Sequence, residues 1–325
     1  MNALKKWPNV IRGVAYGDAW GVPNEFESFA VLDKTRPEVP SHLNISDDTQ
    51  MSLFLAKAIS EARTVDEIKA NINREFLNYL HDPDFSSGTP GMTVTGSLRR
   101  LDDGANWVDA TRPDAHGCGA VMRVSPTAFM DEDKYVGAAA YSAALTHGSA
   151  MCVAAAILTS AVIRRCAQGE IHAGHLLEAA HEMASDPGRF DLLDPHGWVD
   201  EMNLPLVDGF TELLVGLKNA SFGLKIMADE EAWNYDPCTF GGEGWNADEC
   251  LATALLCVDL FPENQMDALK RATVTNGDSD SIGGVAGAVL GALGKPWPVD
   301  LFARLGDRYQ EWITESDDYF CAIVE

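Results

Sequence analysis

Two short segments, far apart in the chain, each place two carboxylates beside side-chain hydroxyls within four residues. The first is Ser-Asp-Asp-Thr at 46–49, and the second is Asp-Ser-Asp-Ser at 278–281. Crowded carboxylates repel one another unless a proton or a cation intervenes. Oxygen donors alone suit hard divalent ions such as Mg²⁺, Mn²⁺ or Ca²⁺ rather than Zn²⁺. If the fold brings the two segments together, they can hold one divalent ion or a bridged pair.

Each acidic segment also has a simpler interpretation. Asp47 and Asp48 precede a helical pattern, where a carboxylate commonly caps the helix N-terminus. The second segment begins like an EF-hand calcium loop, but Ile282 and Val289 stand at its fifth and twelfth positions, which require oxygen ligands. The sequence therefore excludes an EF-hand. What remains is a loop that enters a Gly/Ala-rich helix, with the carboxylates and hydroxyls of 278–281 able to face one point.

A third acidic position follows the first helical pattern. Gly13, Gly17 and Gly21 give that helix a face of small residues, and Pro23 predicts where the helix ends. Glu25 comes just after this point. A carboxylate at a helix C-terminus has an unfavourable dipole environment that raises its pKa, which suits a general acid or base. An ordinary exposed glutamate is the alternative.

A glycine-rich turn and one histidine complete the candidates. Residues 117–123 read Gly-Cys-Gly-Ala-Val-Met-Arg, and backbone N–H groups in such turns can bind phosphate oxygens. The later glycine of a dinucleotide-binding fingerprint is missing. His147 begins an apolar helical segment, where a single histidine is usually a capping or core residue.

Helical periodicity dominates the rest of the chain, and no strand–helix–strand alternation or internal repeat is evident. Helices are predicted at 51–63, 65–80, 133–145, 151–167, 171–184, 208–227, 247–260, 266–275, 282–293 and 301–314. Loops rich in glycine, proline or polar residues are predicted at 81–92, 102–118, 185–205 and 234–246. The pattern predicts an all-α protein that forms one compact domain over residues 1–325.

The charge balance restricts the possible partners. The 325 residues include 24 Lys and Arg against 49 Asp and Glu, which gives a net charge of −25. Such a surface repels phosphate backbones, so free nucleic acid is not expected as a partner. High solubility alone is the other interpretation of this charge.

Cysteine usage and apolar segments bear on the compartment. The seven cysteines contain no C-x-x-C pair, so neither a disulfide framework nor a zinc site is predicted, and a reducing cytoplasm is expected. No signal peptide is visible at the N-terminus. The longest apolar stretch, 150–163, is too short to span a bilayer and is predicted to be a buried helix, so no membrane association is expected.

Taken in order, these segments resemble the ADP-ribosylglycohydrolase family over residues 13–294, nearly the whole chain. The similarity lies in Gly17-Asp18-Ala19 with Glu25, the segments 46–49 and 117–123, Thr146-His147, Glu243-Gly244-Trp245, and the segment 276–283. The resemblance implies an all-α fold with two Mg²⁺ or Mn²⁺ ions in a central cleft. It also implies cleavage of the N- or O-glycosidic bond that joins ADP-ribose to a modified target.

The resemblance further implies roles for individual residues. Glu25 is the implied catalytic acid. The implied metal ligands are Ser46 (or its neighbour Thr49), Asp47, Asp48, Asp278, Asp280 and Ser281. The implied contacts with ADP-ribose are Gly117, Cys118, Gly119, Ala120, Met122 and His147. This chain departs from the family pattern at Cys118, where asparagine is usual, and in having serine at 46, 279 and 281, where threonine is more frequent.

The expected function is therefore metal-dependent reversal of protein ADP-ribosylation, with arginine favoured as the modified residue because an acidic pocket attracts a cationic leaving group. An ADP-ribosylated protein is the expected substrate, ADP-ribose is the expected product, and the protein is expected to act as a monomer. The alternatives are a non-catalytic ADP-ribose-binding or toxin-immunity protein of the same fold, and a hydrolase of serine-linked or small-molecule-linked ADP-ribose.

Overall fold

The computed structural model describes residues 3–191, 194–228 and 232–321. Within those ranges the regular elements are all helical. Extended backbone pairs only at three isolated bridges, which join Leu43 to Leu305, Arg112 to His147 and Gly117 to Asn246. The prediction of an all-α fold is confirmed.

The α-helices in chain order are α1 Trp7–Gly21, α2 Phe29–Thr35, α3 Asp47–Ser60, α4 Val65–Leu80, α5 Met92–Asp102, α6 Trp107–Ala110, α7 Tyr135–Ala144, α8 Ala150–Gln168, α9 Leu176–Ala184, α10 Gly188–Asp191, α11 Leu206–Ile226, α12 Cys238–Gly241, α13 Ala247–Leu260, α14 Gln265–Thr273, α15 Ser279–Leu293, α16 Val299–Phe302 and α17 Asp307–Cys321. Short 3₁₀ segments lie at Ala3–Lys6, Cys118–Ala120, Ser125–Phe129 and Asp200–Met202.

Local signals account for the helices whose predicted bounds agree best with the structure. Helix α4 begins with a capping box, in which the Thr64 hydroxyl accepts from the Glu67 N–H and the Glu67 carboxylate accepts from the Thr64 N–H. Such reciprocal bonds fix a helix start through residues three positions apart. The predicted range 65–80 is therefore the observed one.

Several predicted helix bounds were wrong: α3 begins at Asp47 rather than 51, and α15 begins at Ser279 rather than 282. Three further differences, two in helix bounds and one a helix that was missed, follow from a long-range contact or a weak local pattern. Helix α9 begins at Leu176 rather than 171, because the distant Asp259 carboxylate accepts from the N–H groups of Leu176 and Leu177. The predicted helix 301–314 is broken, because the Arg304 carbonyl accepts from the Leu43 N–H instead of continuing the helix. Helix α5 was not predicted, since β-branched residues and a glycine lower its helix propensity.

Helix α8 lies in the hydrophobic core. It is long and apolar enough to cross a membrane by length and composition alone, but 83% of its most apolar 18-residue window is buried inside the protein. Helices α7, α11, α13 and α15 pack around it. The prediction of a buried helix is confirmed, whereas the prediction that the segment is too short to span a bilayer was wrong, because the helix continues beyond 163 to Gln168.

Helices α1 and α15 pack antiparallel with their backbones in contact. A Cβ atom on Gly17 would lie 1.9 Å from the Gly283 carbonyl oxygen, and one on Gly13 would lie 2.1 Å from that of Gly287. At the C-terminal end of α1, a Cβ on Gly21 would lie 2.3 Å from the Ser279 carbonyl oxygen. This glycine seam brings the C-terminus of α1 against the N-terminus of α15, and thereby places Glu25, which follows α1, near the acidic segment 278–281.

Gly17→Ala tests the seam. The added methyl group has no space, so we expect the free energy of unfolding to fall by about 1–3 kcal/mol, the usual cost of overpacking. Urea denaturation measures the change. Gly96→Ala in α5 is the matched control, because its Cβ would meet only the end of the Arg100 side chain at 3.6 Å, and it should be neutral or slightly stabilising. Equal stability of the two variants would contradict the close contact.

Candidate active site

Carboxylates from both ends of the chain meet where α1 ends and α15 begins. Glu25 lies in the turn that follows α1, while Asp278 caps α15 and Asp280 lies in its first turn. One oxygen from each of these three side chains lies within 4.8 Å of the others. Glu25 and the late acidic segment, which lie more than 250 residues apart in the sequence, therefore meet in the structure.

The early acidic segment joins this cluster through Asp48. Ser46 is the N-cap of α3, and its Oγ lies 3.2 Å from Asp48 Oδ2. The same Asp48 oxygen lies 3.4 Å from the Ser281 Oγ of α15. The second oxygen, Oδ1, is buried and has no hydrogen-bond partner in the described part of the chain. An orphaned buried carboxylate oxygen is costly unless a ligand satisfies it.

Asp47 occupies the same helix start but is held differently. Its N–H donates to the Gly88 carbonyl at 2.9 Å, and its carboxylate accepts from the Gly91 N–H. The side chain is buried, and burial together with the charges of Asp280 and Asp18 raises its pKa well above the usual range. Asp47 is therefore close enough to the cluster to share its electrostatics, although it is not among the three carboxylates that meet directly.

Asp18 is a site residue to which the sequence analysis gave no role. It lies on α1 beside the glycine seam, fully buried. Its carboxylate accepts from the N–H of Ser46 at 2.9 Å, from the N–H of Thr49 at 3.1 Å, and from the Thr49 hydroxyl. Asp18 thus fixes the start of α3 against α1. The sequence feature that could have identified Asp18 is the presence of one acidic residue within a run of small residues.

The cluster contains an excess of negative charge. Burial first, and then the charges of Asp280 and Asp18, raise the pKa of Glu25 to about 8. Burial and Asp280 likewise raise the pKa of Asp18 to about 7, and the pKa values of Asp48 and Asp278 are raised well above their usual range. No ion pair within the described residues involves any of these carboxylates.

The donor set fits a hard divalent cation. Carboxylate and hydroxyl oxygens from three separate segments converge. Among the described residues, one of these oxygens is buried without a partner, and no lysine, arginine or histidine forms an ion pair with the cluster. Oxygen-rich sites of this kind suit Mg²⁺ or Mn²⁺. The candidate ligands are the carboxylates of Glu25, Asp278 and Asp280, which meet directly, and that of Asp48, which lies beside the hydroxyls of Ser46 and Ser281. Asp47 lies next to Asp48 at the start of the same helix.

The glycine-rich turn borders the cluster through Cys118. The thiol sulfur lies 2.8 Å from Asp278 Oδ2 and 3.6 Å from the Ser281 Oγ. Burial, followed by the charge of Asp278, raises the pKa of this thiol. Gly117 and Cys118 are half-buried, whereas Gly119, Ala120 and Met122 are buried. Cys118 is therefore in contact with the carboxylate cluster itself, which the sequence alone did not indicate.

His147 lies beneath the turn and is only 2% exposed. A Cβ on Gly119 would lie 2.9 Å from its ring, so the absence of a side chain at 119 lets the turn rest on the imidazole. His147 Nδ1 lies 2.8 Å from the Thr146 hydroxyl, and burial followed by Arg123 lowers the histidine pKa to about 3. The ring is therefore neutral and supports the turn. A direct contact between His147 and a ligand stays a prediction.

The raised pKa values predict an unusual pH dependence for the metal-free protein. Asp18 and Glu25 bind protons more tightly when folded than when unfolded, so their contribution to stability is present at acid pH and is lost as the pH rises toward about 7 and 8, respectively. We expect the Tm of the chelator-treated protein to fall from pH 5 to pH 8. Excess Mg²⁺ should reduce this fall, because the cation replaces the protons. A metal-free Tm that rises over this interval would contradict the clustered charge.

The helices and the oxygen-only cluster define an all-α protein with a buried acidic centre suited to divalent cations. The chain belongs to the ADP-ribosylglycohydrolase family, whose sequence profile matches residues 5–321. Membership of this family indicates a glycohydrolase.

The chain is also similar to two individual proteins. The chain is 24% identical over 302 residues to the Escherichia coli (strain K12) protein called "Uncharacterized protein YegU", and the match covers 86% of this chain and 85% of that protein. A solved structure named "ADP-ribosylglycohydrolase-related protein complex" is similar with a TM-score of 0.65 at 20% identity, and the match covers 98% of each chain. At this identity the structural likeness shows the fold alone.

Proposed function

We propose that this protein is a metal-dependent hydrolase that releases ADP-ribose from modified arginine side chains of proteins. The observation that carries the proposal is the convergence of Glu25 with Asp278 and Asp280, and of Asp48 with Ser281, at the junction of α1, α3 and α15. Family membership supports the reaction class. The preference for arginine is supported by the net charge of −25, which favours a cationic leaving group.

The residues around the junction divide into ligands and a proton donor. Asp48, Asp278 and Asp280, with Ser46, Asp47 and Ser281, would hold two Mg²⁺ or Mn²⁺ ions, which supply Lewis-acid and orienting chemistry at the ribose hydroxyls when bound. Asp18 holds the start of α3 in register with α1 through its three hydrogen bonds. The carboxylates of the site are therefore positioned before substrate binds.

Glu25 is the proposed general acid or base. Burial, which is the largest cause of its raised pKa, favours the protonated carboxyl that general-acid catalysis requires. In the acid role, the bond between the anomeric carbon and the arginine nitrogen breaks through an oxocarbenium-like state while Glu25 donates its proton to the leaving nitrogen. The hydroxyl of a water molecule then joins the anomeric carbon, and the remaining proton of that water returns to Glu25.

A second candidate function is non-catalytic binding of ADP-ribose, either as a reader or as an immunity protein. Cys118 favours it, because its thiol contacts Asp278 where the family usually has an asparagine amide. The presence of Glu25 together with both acidic segments favours catalysis, since a binding protein needs no such set.

We further propose that the protein acts as a cytoplasmic monomer, with ADP-ribosylated protein rather than nucleic acid or membrane as its partner.

The test of the proposed function is a release assay. The protein is incubated with arginine-linked, serine-linked and base-linked ADP-ribose, in metal-controlled buffer with Mg²⁺ or with Mn²⁺, and free ADP-ribose is quantified. We expect metal-dependent release that is fastest from arginine. Release from none of the three, combined with measurable affinity for ADP-ribose, would instead establish the binding function.

A further inference from the structure

Two aromatic side chains stand exposed beside Glu25. Phe26 is 79% exposed and Trp245 is 38% exposed, and their rings are stacked with centroids 5.6 Å apart and planes inclined by 22°. Phe26 adopts φ +68°, a left-handed backbone conformation that is unfavourable for a bulky residue. The fold thus holds a large apolar ring in solvent at an energetic cost, and such outliers cluster at functional sites.

The pair is tied to the acidic cluster on both sides. Phe26 directly follows Glu25 in the turn after α1. The Trp245 carbonyl accepts from the Cys118 N–H at 3.0 Å, and two residues earlier the Glu243 carbonyl accepts from the Asp278 N–H at 2.9 Å. The rings therefore lie at the rim of the site, between the proposed proton donor and the glycine-rich turn.

In the described residues, no lysine or arginine of the protein itself covers the rings of Phe26 and Trp245. Every contact between a lysine or arginine and an aromatic ring in the described ranges involves rings other than those of Phe26 and Trp245. The faces of aromatic rings attract cations, and the net charge of −25 carried by the whole protein adds to that attraction. The pair is suited to a cation that comes from outside the chain.

We propose that Phe26 and Trp245 bind the guanidinium group of the arginine from which ADP-ribose is released. This inference rests on the proposed function and deepens it. A guanidinium is planar and stacks on aromatic faces, whereas the hydroxymethyl group of a serine-linked substrate does not. Phe26 and Trp245 are then specificity-determining residues, which favour arginine-linked substrates without taking part in proton transfer.

Stacking of the adenine base is the competing role for the same rings, and it makes a different prediction. Adenine is common to every ADP-ribose substrate and to the product. Loss of an adenine platform would therefore weaken all linkages and free ADP-ribose alike. Loss of a guanidinium platform would weaken only the arginine-linked substrate.

The test uses Phe26→Leu and Trp245→Leu, which remove the aromatic face but keep apolar volume. Phe222→Leu is the matched control, because Phe222 is also exposed, at 60%, but lies on α11. We expect kcat/KM for an arginine-linked substrate to fall about tenfold in each test variant, with the serine-linked rate and the Kd of free ADP-ribose unchanged. An equal fall on both linkages, a weaker ADP-ribose affinity or no change at all would overturn the proposal.

A binding measurement separates this inference from the proposed function. In ¹⁵N-tryptophan-labelled, Mg²⁺-loaded protein, the Trp245 indole resonance is assigned by its loss in Trp245→Phe. We expect agmatine to shift this resonance and the neutral analogue N-butylurea to leave it in place. A Trp245 resonance that does not respond to agmatine would overturn the inference even in an active enzyme. A shift in a protein that releases no ADP-ribose would overturn the proposed function alone.

Discussion

Asp280→Asn is expected to reduce metal-dependent release of ADP-ribose by about a thousandfold, equivalent to about 4 kcal/mol of transition-state stabilisation. Asp280 is one of the three carboxylates that meet within 4.8 Å, and its charge acts on Glu25, Asp47 and Asp278. Substituting an amide keeps the shape of the side chain but weakens it as a ligand for a divalent cation. Steady-state kinetics with saturating Mg²⁺ or Mn²⁺ measures the effect.

The same variant should respond in the opposite direction when the metal is removed. Without a cation the clustered carboxylates repel one another, so loss of one charge should raise the Tm of the chelator-treated protein. Added Mg²⁺ should stabilise the wild type through preferential binding to the folded state and should stabilise Asp280→Asn much less. Differential scanning calorimetry of both proteins, with and without the metal, gives the four Tm values that this comparison needs.

Asp259→Asn is the matched control for these Tm measurements with and without metal. Asp259 is also buried, but its carboxylate accepts from backbone N–H groups of Gly174, Leu176 and Leu177, away from the cluster. Its substitution should lower the Tm equally with and without metal and should leave the Mg²⁺-induced gain intact. Full activity of Asp280→Asn, or a Tm that falls on chelation in the same way as in the wild type, would remove Asp280 from the metal site.

Glu25→Gln should lose turnover by about 10²–10⁴-fold while keeping its affinity for ADP-ribose. The amide cannot donate the proton that the leaving nitrogen needs, whereas the shape of the site is unchanged. Single-turnover kinetics measures the first effect and calorimetric titration of ADP-ribose measures the second. Glu27→Gln, an exposed position in the same segment, is the control and should behave as the wild type.

The position of Glu25 makes one further readout decisive. Because its carboxylate lies in the same group as Asp278 and Asp280, it could act as a ligand instead of as an acid. In Glu25→Gln the Mg²⁺-induced gain in Tm should persist if Glu25 is the acid, and should be lost if it is a ligand. Near-normal turnover of this variant would remove Glu25 from the mechanism altogether.

The sequence was sufficient wherever the deciding interaction is local. The capping box of Thr64 and Glu67 fixed the start of α4, and the apolar run that begins after Ser149 predicted the buried helix α8. Both signals act between residues a few positions apart, so they can be recognised without knowing the fold. The two acidic segments were recognisable for the same reason, as was Glu25 just beyond the end of α1.

The sequence was insufficient wherever a distant residue decides the outcome. Helix α9 starts late because Asp259 caps it from α13, and no pattern within 171–184 contains that information. Asp18 stands out in the sequence as an acid among small residues, but its role does not, because its partners Ser46 and Thr49 lie in another segment. His147 became a support for the turn only when Gly119 was placed against it.

The amino-acid sequence by itself determined the chemistry available to this protein: oxygen ligands in two short segments, an acidic residue after α1, and glycines spaced four apart along one helix face. The tertiary structure decided which of these meet. The seam of Gly13 and Gly17 against Gly287 and Gly283 sets α1 antiparallel to α15, and that contact brings Glu25 to Asp278 and Asp280. Helix periodicity is encoded between neighbouring residues. The carboxylates of the site, in contrast, become buried, repel one another and have raised pKa values only after helices that are more than two hundred residues apart in the sequence pack together.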